Sequence, residues 1–141
     1  MTNDDAVLMD ASYLIALANP KDKFRQRAVD HAKTGLKKQI VLDVVLGEVV
    51  FMLGSKVSYR AANLFIKTFT ISSLQLESIT KHDLERVFEI RENYADAKFN
   101  FVDCCIMALS ERLEIMQICT FDRRDFSIFR PKHCPALELL P

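Results

Sequence analysis

Four carboxylates stand where a charge is costly. Asp10 follows Val7-Leu8-Met9, Glu48 lies inside the apolar run from Val44 to Leu53, Asp103 interrupts Phe101-Val102 and Cys104-Cys105-Ile106-Met107, and Asp122 follows Ile118-Cys119-Thr120-Phe121. A buried carboxylate must be paired, hydrogen-bonded, protonated or bound to a metal. Scarcely any Lys or Arg lies inside these runs, so one shared cation is an economical way to satisfy all four. Hard oxygen ligands without His suit Mg²⁺ or Mn²⁺ rather than zinc. A cation held this way can activate a water and stabilise charge on a scissile phosphate. The chemistry open to these residues is metal-dependent phosphodiester hydrolysis.

Taken singly, each acid also has an ordinary role open to it. Asp10 could cap the helix that begins after it, and Asp103 falls in a first helical turn, where the helix dipole favours an acid. Asp122 could be a turn residue before Arg123-Arg124. Glu48 is harder to explain away. On a continuous helix it shares a side with Val44, Phe51 and Met52, and the rest of that helix is also apolar, so no clearly solvated face is left for it. Of the neighbouring acids, Asp43 reads as the N-cap of the Glu48 helix, Asp125 as a turn former or a support behind the site, and Asp96 as a loop residue.

Alternating elements must bring these acids together. Ala6 to Asp10 reads as a buried strand, Ser12 to Leu17 as a short helix stopping before Asn19-Pro20, and Asp22 to Leu36 as a second helical stretch. Ile40 to Leu42 is a second strand, followed by a helix from about Val44 to Leu53 that breaks at Gly54. Ser58 is a fitting N-cap for a helix carrying Ala61, Leu64, Phe65 and Phe69. Ser73 to Leu76 is a third strand. Thr80-Lys81-His82-Asp83 resembles a capping box, opening a helix whose apolar stripe is Leu84, Val87, Phe88 and Tyr94. Asn100 opens another helix through Leu113, then Ile115 to Thr120 and Ala136 to Leu140 complete five strands. Strands alternating with helices imply an α/β domain with a mostly parallel sheet. In such sheets ligands bind beyond the carboxyl ends of the strands, the edge where Asp10 and Asp122 fall and towards which departing helices would bring Glu48 and Asp103.

Composition narrows the class. The 141 residues suit one domain with a proper core, and 27% charged residues with apolar runs interrupted by acids argue against a membrane protein. Met1-Thr2-Asn3-Asp4-Asp5 is acidic, unlike a signal peptide, which leads to the expectation of a cytoplasmic protein. Cys104, Cys105, Cys119 and Cys134 make no CxxC pair and no zinc spacing, so free thiols are expected. The net charge of zero argues against a wholly electrostatic nucleic-acid binder. Basic residues nonetheless gather between Lys21 and Lys38 and again at Arg123, Arg124, Arg130 and Lys132. These are either solvated faces or a holder for a polyanion beside an acidic pocket. There is no G-x-S-x-G, P-loop or G-x-G-x-x-G, and His31, His82 and His133 sit in polar segments expected to be exposed. A phosphoacceptor receiver domain would want a clear acceptor Asp after a central strand and a Lys near the end of a late strand, and the chain lacks both. A phosphatase of the haloacid-dehalogenase type would want an acid where Ser12 stands.

The order Val7-Leu8-Met9-Asp10-Ala11-Ser12, Glu48 in an apolar helix, Phe101-Val102-Asp103, and Thr120-Phe121-Asp122-Arg123-Arg124-Asp125-Phe126 resembles the PIN domain. The ending Phe129-Arg130-Pro131 with Leu137-Glu138-Leu139-Leu140-Pro141 is similar to the tail of VapC-type toxins within that family. The resemblance runs over essentially the whole chain, residues 1–141. It implies a PIN-like three-layer α/β/α sandwich around a mostly parallel five-stranded sheet, and a Mg²⁺- or Mn²⁺-dependent endoribonuclease that is the toxin of a toxin–antitoxin pair. Asp10, Glu48, Asp103 and Asp122 match the family's catalytic, metal-binding quartet, with Ser12 and Thr120 at positions that often support it. Arg123 and Arg124 are candidates for holding RNA phosphate. The implied partners are RNA, a small antitoxin and a second copy of the chain, with no membrane. Asn100 stands where Ser or Thr is frequent, and Asp43 where a hydroxyl residue is common. A non-catalytic PIN-like RNA-binding or regulatory module is the other reading.

Overall fold

The computed structural model describes residues 4–35 and 37–141. Five strands, β1 (Ala6–Met9), β2 (Lys38–Leu42), β3 (Gln75–Glu77), β4 (Gln117–Cys119) and β5 (Glu138–Leu140), form one sheet in the order β3-β2-β1-β4-β5. Every pairing is parallel. From β1 the chain moves outward through β2 to β3, then crosses back to β4 on the other side of β1, so the strand order reverses between β1 and β4. Right-handed crossovers then place helices on both faces. Between β1 and β3 run α1 (Ala11–Ala18), α2 (Arg25–Ala32), α3 (Asp43–Lys56) and α4 (Tyr59–Ile71). Between β3 and β4 run α5 (Lys81–Asn93), a 3-10 turn (Ala95–Ala97) and α6 (Phe101–Arg112), and a short α7 (Arg124–Ile128) follows β4. The expected layered α/β architecture with a parallel five-stranded sheet is what the chain adopts.

The strands are short and hydrophobic because both sheet faces are covered. All four residues of β1 are buried, and α6 buries every residue from Asp103 to Ser110 between the sheet and its neighbours. Asn100 caps α6, its side-chain oxygen accepting from the N–H groups of Val102 and Asp103. Ser58 caps α4 through the N–H of Ala61, and Thr80 with Asp83 forms the anticipated capping box on α5. The four cysteines are free.

Several local expectations are corrected. Gly54 does not break α3, which continues to Lys56 and buries Val45, Val49 and Leu53, while Phe51 is 71% exposed. The inward stripe therefore lies one residue round from the face inferred for Glu48, and the helix does have a solvated side. Asp43 is not an N-cap: it is the first helical residue, and its side chain accepts instead from the N–H of Ile79. On α5, Val87 and Ile90 face the core while Leu84 and Phe88 are exposed, and on α4 Ala62 is buried while Leu64 is exposed. His31 and His133 are half-buried, bonded to the Tyr13 hydroxyl (2.8 Å) and the Ile115 carbonyl (2.8 Å). α2 ends at Ala32, and Leu36, the expected end of that helix, lies outside the described residues, as do Met1 to Asn3.

At the C-terminal end of α6, opposite to Asp103, α5 is fastened to it by two arginine–carboxylate pairs. Arg86 makes a fork with Glu111 at 2.6 and 3.0 Å, and Arg112 reaches Asp83 at 2.9 Å. Burial alone would raise the Asp83 carboxyl. The hydrogen bond from Arg112, the capping bonds of Thr80 and the guanidinium charge outweigh it and hold the group below the ordinary carboxylate range. A lowered acid contributes stability that is complete above about pH 4, the usual Asp value, and is lost as pH falls through the lower folded-state value. Asp83→Ala is expected to cost about 2 kcal/mol at neutral pH. In denaturant titrations the gap between parent and variant should shrink once the pH drops below the ordinary Asp range.

Candidate active site

Asp10 sits immediately after β1, and Thr120 immediately after β4, on adjacent parallel strands. The register pairs Met9 with Cys119, and the Asp10 N–H continues it by donating to the Cys119 carbonyl at 2.9 Å. This is the crevice at the point where strand order reverses, the position in open α/β sheets that receives ligands. Asp10 occupies the N-cap position of α1, yet its side chain makes no capping bond. It turns into a hydroxyl clamp. Thr120 Oγ1 donates to Asp10 Oδ2 at 2.7 Å and Ser12 Oγ to the same oxygen at 2.9 Å. The hydroxyls are themselves fixed by backbone: Ser12 Oγ accepts from the Phe121 N–H (2.9 Å) and Thr120 Oγ1 from the Asp122 N–H (3.0 Å). Thr120 Oγ1 also lies 3.0 Å from the Asp122 carbonyl and 3.2 Å from Ser12 Oγ, so the two hydroxyls, Asp10 and the loop backbone form one network in which the contact to Asp10 is the shortest.

Asp103 reaches the same edge from the first turn of α6. Because Asn100 does the capping, the Asp103 carboxyl is not needed for it, and the residue is only 6% exposed. Glu48 approaches from the flank of α3, half-buried, and Asp122 stands on the loop after β4 with its side chain exposed. Asp125 takes the supporting place behind the site that the sequence suggested for it. It is buried, its Oδ2 accepts from the Asn100 N–H (2.9 Å), its Oδ1 accepts from Arg124 (2.7 Å), and it stands near enough to Asp103 to raise that carboxyl. Its spacing of three from Asp122, on what becomes α7, was the available signal.

Proximity of the quartet is visible in its electrostatics. Burial is the largest influence raising Asp10, opposed by the bonds from Thr120, Ser12 and the Ala11 N–H, and reinforced by the Asp122 charge. Glu48 is raised by burial and then by the charges of Asp10 and Asp122. Asp103 is raised by burial, the Asp10 charge, the hydrogen bond with Asp125, and the charges of Asp125 and Asp122. Asp122 thus acts on Asp10, Glu48 and Asp103, and Asp10 acts on Glu48 and Asp103. Among the described residues no Lys or Arg forms an ion pair with Asp10, Glu48, Asp103 or Asp122, whereas Asp83 and Glu111 do have arginine partners.

The donor set is oxygen only, and mutual repulsion gives it a net demand for positive charge, both of which fit a hard divalent cation. Among the described residues no three His, Cys, Asp or Glu side chains are gathered tightly enough to form a finished cage. Asp10 and Asp103 are buried; Glu48 is half-buried, and Asp122 is exposed on a loop whose backbone is held by Ser12 and Thr120.

Arg123 and Arg124 are both engaged. Arg123 donates to the Pro141 carbonyl, and Arg124 donates to Asp125 and, at 2.8 Å, to the Ala97 carbonyl. Arg124 is the more open, with 59% of its side chain exposed.

The raised acids make the sign of the pH dependence clear. Between the ordinary carboxyl value near 4 and the higher folded-state values, the folded protein keeps protons that the unfolded chain releases. These groups therefore subtract stability as pH rises through that window. In chelator the protein should melt higher near pH 5.5 than near pH 7.5. Asp103→Asn, which removes the charge but keeps the shape, should stabilise the chelated protein at the higher pH by about 1–2 kcal/mol. Calorimetric melts at both pH values check this; an Asn variant less stable than its parent at the higher pH would contradict a repulsive cluster.

Comparison with known proteins agrees with this geometry. The PIN domain family matches residues 7–130 of the chain. Ribonuclease VapC26 of Mycobacterium tuberculosis is 23% identical over 128 residues, which is 89% of this chain and 93% of that protein. The crystal structure of Mycobacterium tuberculosis VapC20, described as a sarcin-ricin-loop-cleaving toxin, superposes with a TM-score of 0.78 at 21% identity, covering 83% of this chain and 90% of that one. The toxin–antitoxin complex VapBC of Salmonella typhimurium, solved on DNA, contains a similar chain with a TM-score of 0.66 at 13% identity, covering 99% and 97%. A parallel sheet whose strand order reverses beside a clamped aspartate, three further acids at the same edge, and a family match over most of the sequence lead to one assignment: this chain belongs to the PIN domain family.

Proposed function

We propose that the protein is a divalent-metal-dependent endoribonuclease and the toxin of a toxin–antitoxin pair. The observation that carries the reading is the cluster of Asp10, Glu48, Asp103 and Asp122 at the strand-order reversal, the first three raised by burial and by neighbouring carboxylates, and none of the four in an ion pair with Lys or Arg among the described residues. Asp10 and Asp103 would hold Mg²⁺ or Mn²⁺, with Glu48 and Asp122 completing the shell directly or through water. When bound, the ion supplies an activated water and stabilises charge on the scissile phosphate. The chain's own part is positional. Ser12 and Thr120 fasten Asp10 through Oδ2, so that its orientation is set before any ligand arrives. Asp125 holds the α6 N-terminus through Asn100 and lies against Asp103. Donors of Arg124 and Arg123 not taken by backbone would steady a neighbouring phosphate.

RNA as substrate is supported by the names of the relatives, one a ribonuclease and one a toxin that cleaves the sarcin-ricin loop. A small antitoxin as partner is supported by the complexes in which similar chains are found. A cytoplasmic homodimer belongs to the same reading; none of the described helices is long and apolar enough to cross a membrane.

The test is divalent-dependent cleavage of single-stranded RNA, followed alongside a metal-induced rise in melting temperature. Asp10→Asn and Asp103→Asn are each expected to lower cleavage by more than about 100-fold and to abolish the Mn²⁺-induced rise. Folded variants that cleave as well as the parent would remove the assignment, and a folded parent that binds no Mn²⁺ would favour a non-catalytic RNA-binding module. Thr120→Val is expected to weaken Mn²⁺ binding by roughly 10-fold with the fold retained, measurable by titration calorimetry.

A further inference from the structure

Next to the carboxylate cluster, on the same loop, stands a stack of aromatic rings that the metal chemistry does not use. Phe121, between Thr120 and Asp122, is parallel to Phe24 with ring centres 4.5 Å apart and an interplanar angle of 1°. Its other neighbour is Tyr13, at 5.8 Å and 13°. The stack therefore runs outward from buried Tyr13 through half-buried Phe121 to half-buried Phe24 at the start of α2. Phe24 has Phe121 on one face, and the exposed Lys23 ammonium lies 4.9 Å from its ring centre. The guanidinium of exposed Arg27 lies 5.4 Å from the Phe121 ring. The basic cluster between Lys21 and Lys38 thus meets a flat apolar face within one ring of the loop that carries Asp122.

A flat ring with a mobile cation above it and a second cation alongside is the combination that holds an unpaired nucleotide. The base stacks, which is tolerant of sequence because every base has a π-face, and the cations take the backbone phosphate. A lysine on a flexible stem is readily displaced from an exposed ring, because such a contact is weak in water. We infer that Phe24, with Lys23 and Arg27, forms a stacking subsite for a single-stranded RNA nucleotide flanking the scissile phosphate. The inference rests on the ribonuclease reading and adds to it the means by which an acidic pocket retains a polyanion: the attraction comes from α2, outside the quartet.

The experiment measures binding and cleavage separately. A fluorescent single-stranded oligoribonucleotide is titrated onto Asp103→Asn protein carrying Phe24→Leu, Phe24→Trp or Lys23→Ala, and the same three substitutions are placed in the active chain for kinetics with Mn²⁺. Phe24→Leu keeps an apolar side chain but loses the flat face; it is expected to weaken binding and raise KM by roughly 10-fold with kcat little changed, and Phe24→Trp to restore both. Scanning a single abasic position through the oligonucleotide should cost the parent binding at one position and cost Phe24→Leu nothing further there, a signature that altered packing alone would not give. If Phe24→Leu melts far below the parent, Lys23→Ala and the abasic scan on the parent carry the test. Binding indifferent to ring, lysine and abasic position overturns the subsite. Mn²⁺-dependent cleavage that persists without Phe24 dependence leaves the ribonuclease reading standing and the subsite refuted. Phe24-dependent RNA binding without any cleavage does the reverse.

Discussion

Met9 pairs with Cys119, and the next hydrogen bond runs from the Asp10 N–H to the Cys119 carbonyl, so the register of one parallel strand pair decides where the whole site lies. It brings residues 110 apart in sequence into side-chain contact, Thr120 Oγ1 against Asp10 Oδ2. A slip of one residue would turn Asp10 to the opposite face of the sheet. Everything else at the site is arranged about this junction. The β4–β5 pairing continues it, with the Thr120 N–H bonded to the Leu140 carbonyl at 2.8 Å. α1 leaves directly from Asp10, and the loop after β4 carries Phe121 and Asp122 past it.

Two populations of buried acid in one small molecule show what that junction is for. Asp83 and Glu111 are held below their ordinary values, because burial is outweighed by hydrogen bonds and charge from Arg112 and Arg86. Asp10, Glu48 and Asp103 are driven the other way, because their burial is compounded by one another. The chain is therefore able to neutralise a buried carboxylate with arginine and does so at the α5–α6 contact, where the pairs serve packing. Withholding the same solution at the strand ends leaves a concentration of negative charge whose cost is met elsewhere in the fold. Such local frustration in an otherwise consistent structure is characteristic of sites kept for binding rather than for stability.

Much of this was readable from the residues. Apolar runs ending in an acid gave β1 and its Asp10, and Thr80-Lys81-His82-Asp83 gave the start of α5 through local capping chemistry that tertiary structure rarely overrides. The side chains of α3 were misread, because a helix apolar on nearly all sides carries no strong periodic signal and its inward stripe is chosen by what it packs against. Val45, Val49 and Leu53 face the core, and Phe51 does not. Asp43 was taken for a cap because it precedes an apolar helix. Its actual partner is the N–H of Ile79, 36 residues on, a contact between neighbouring parallel strand ends that no local pattern encodes. Asp125 was read as a support behind the site, and its partners were what no local pattern could name. Its significance lies in reaching Asn100 and Asp103 across a turn that exists only once α6 and α7 are docked.

The exposure of Asp122 would ordinarily suggest a loosely held ligand, since loops gain entropy from motion. Here the loop is fastened from two sides. Its backbone N–H groups at Phe121 and Asp122 are taken by Ser12 and Thr120, the same hydroxyls that orient Asp10. The Phe121 ring is held between Phe24 and Tyr13. Aromatic packing and the hydroxyl clamp thus act on one stretch of three residues, the rings on the Phe121 side chain and the hydroxyls on the backbone N–H groups of Phe121 and Asp122. The position of an exposed carboxylate is in this way fixed by contacts that are not themselves charged. That separates the two demands on the loop: rigidity comes from ring stacking and hydroxyl bonds, and the carboxylate is left free of any partner that would compete with a cation.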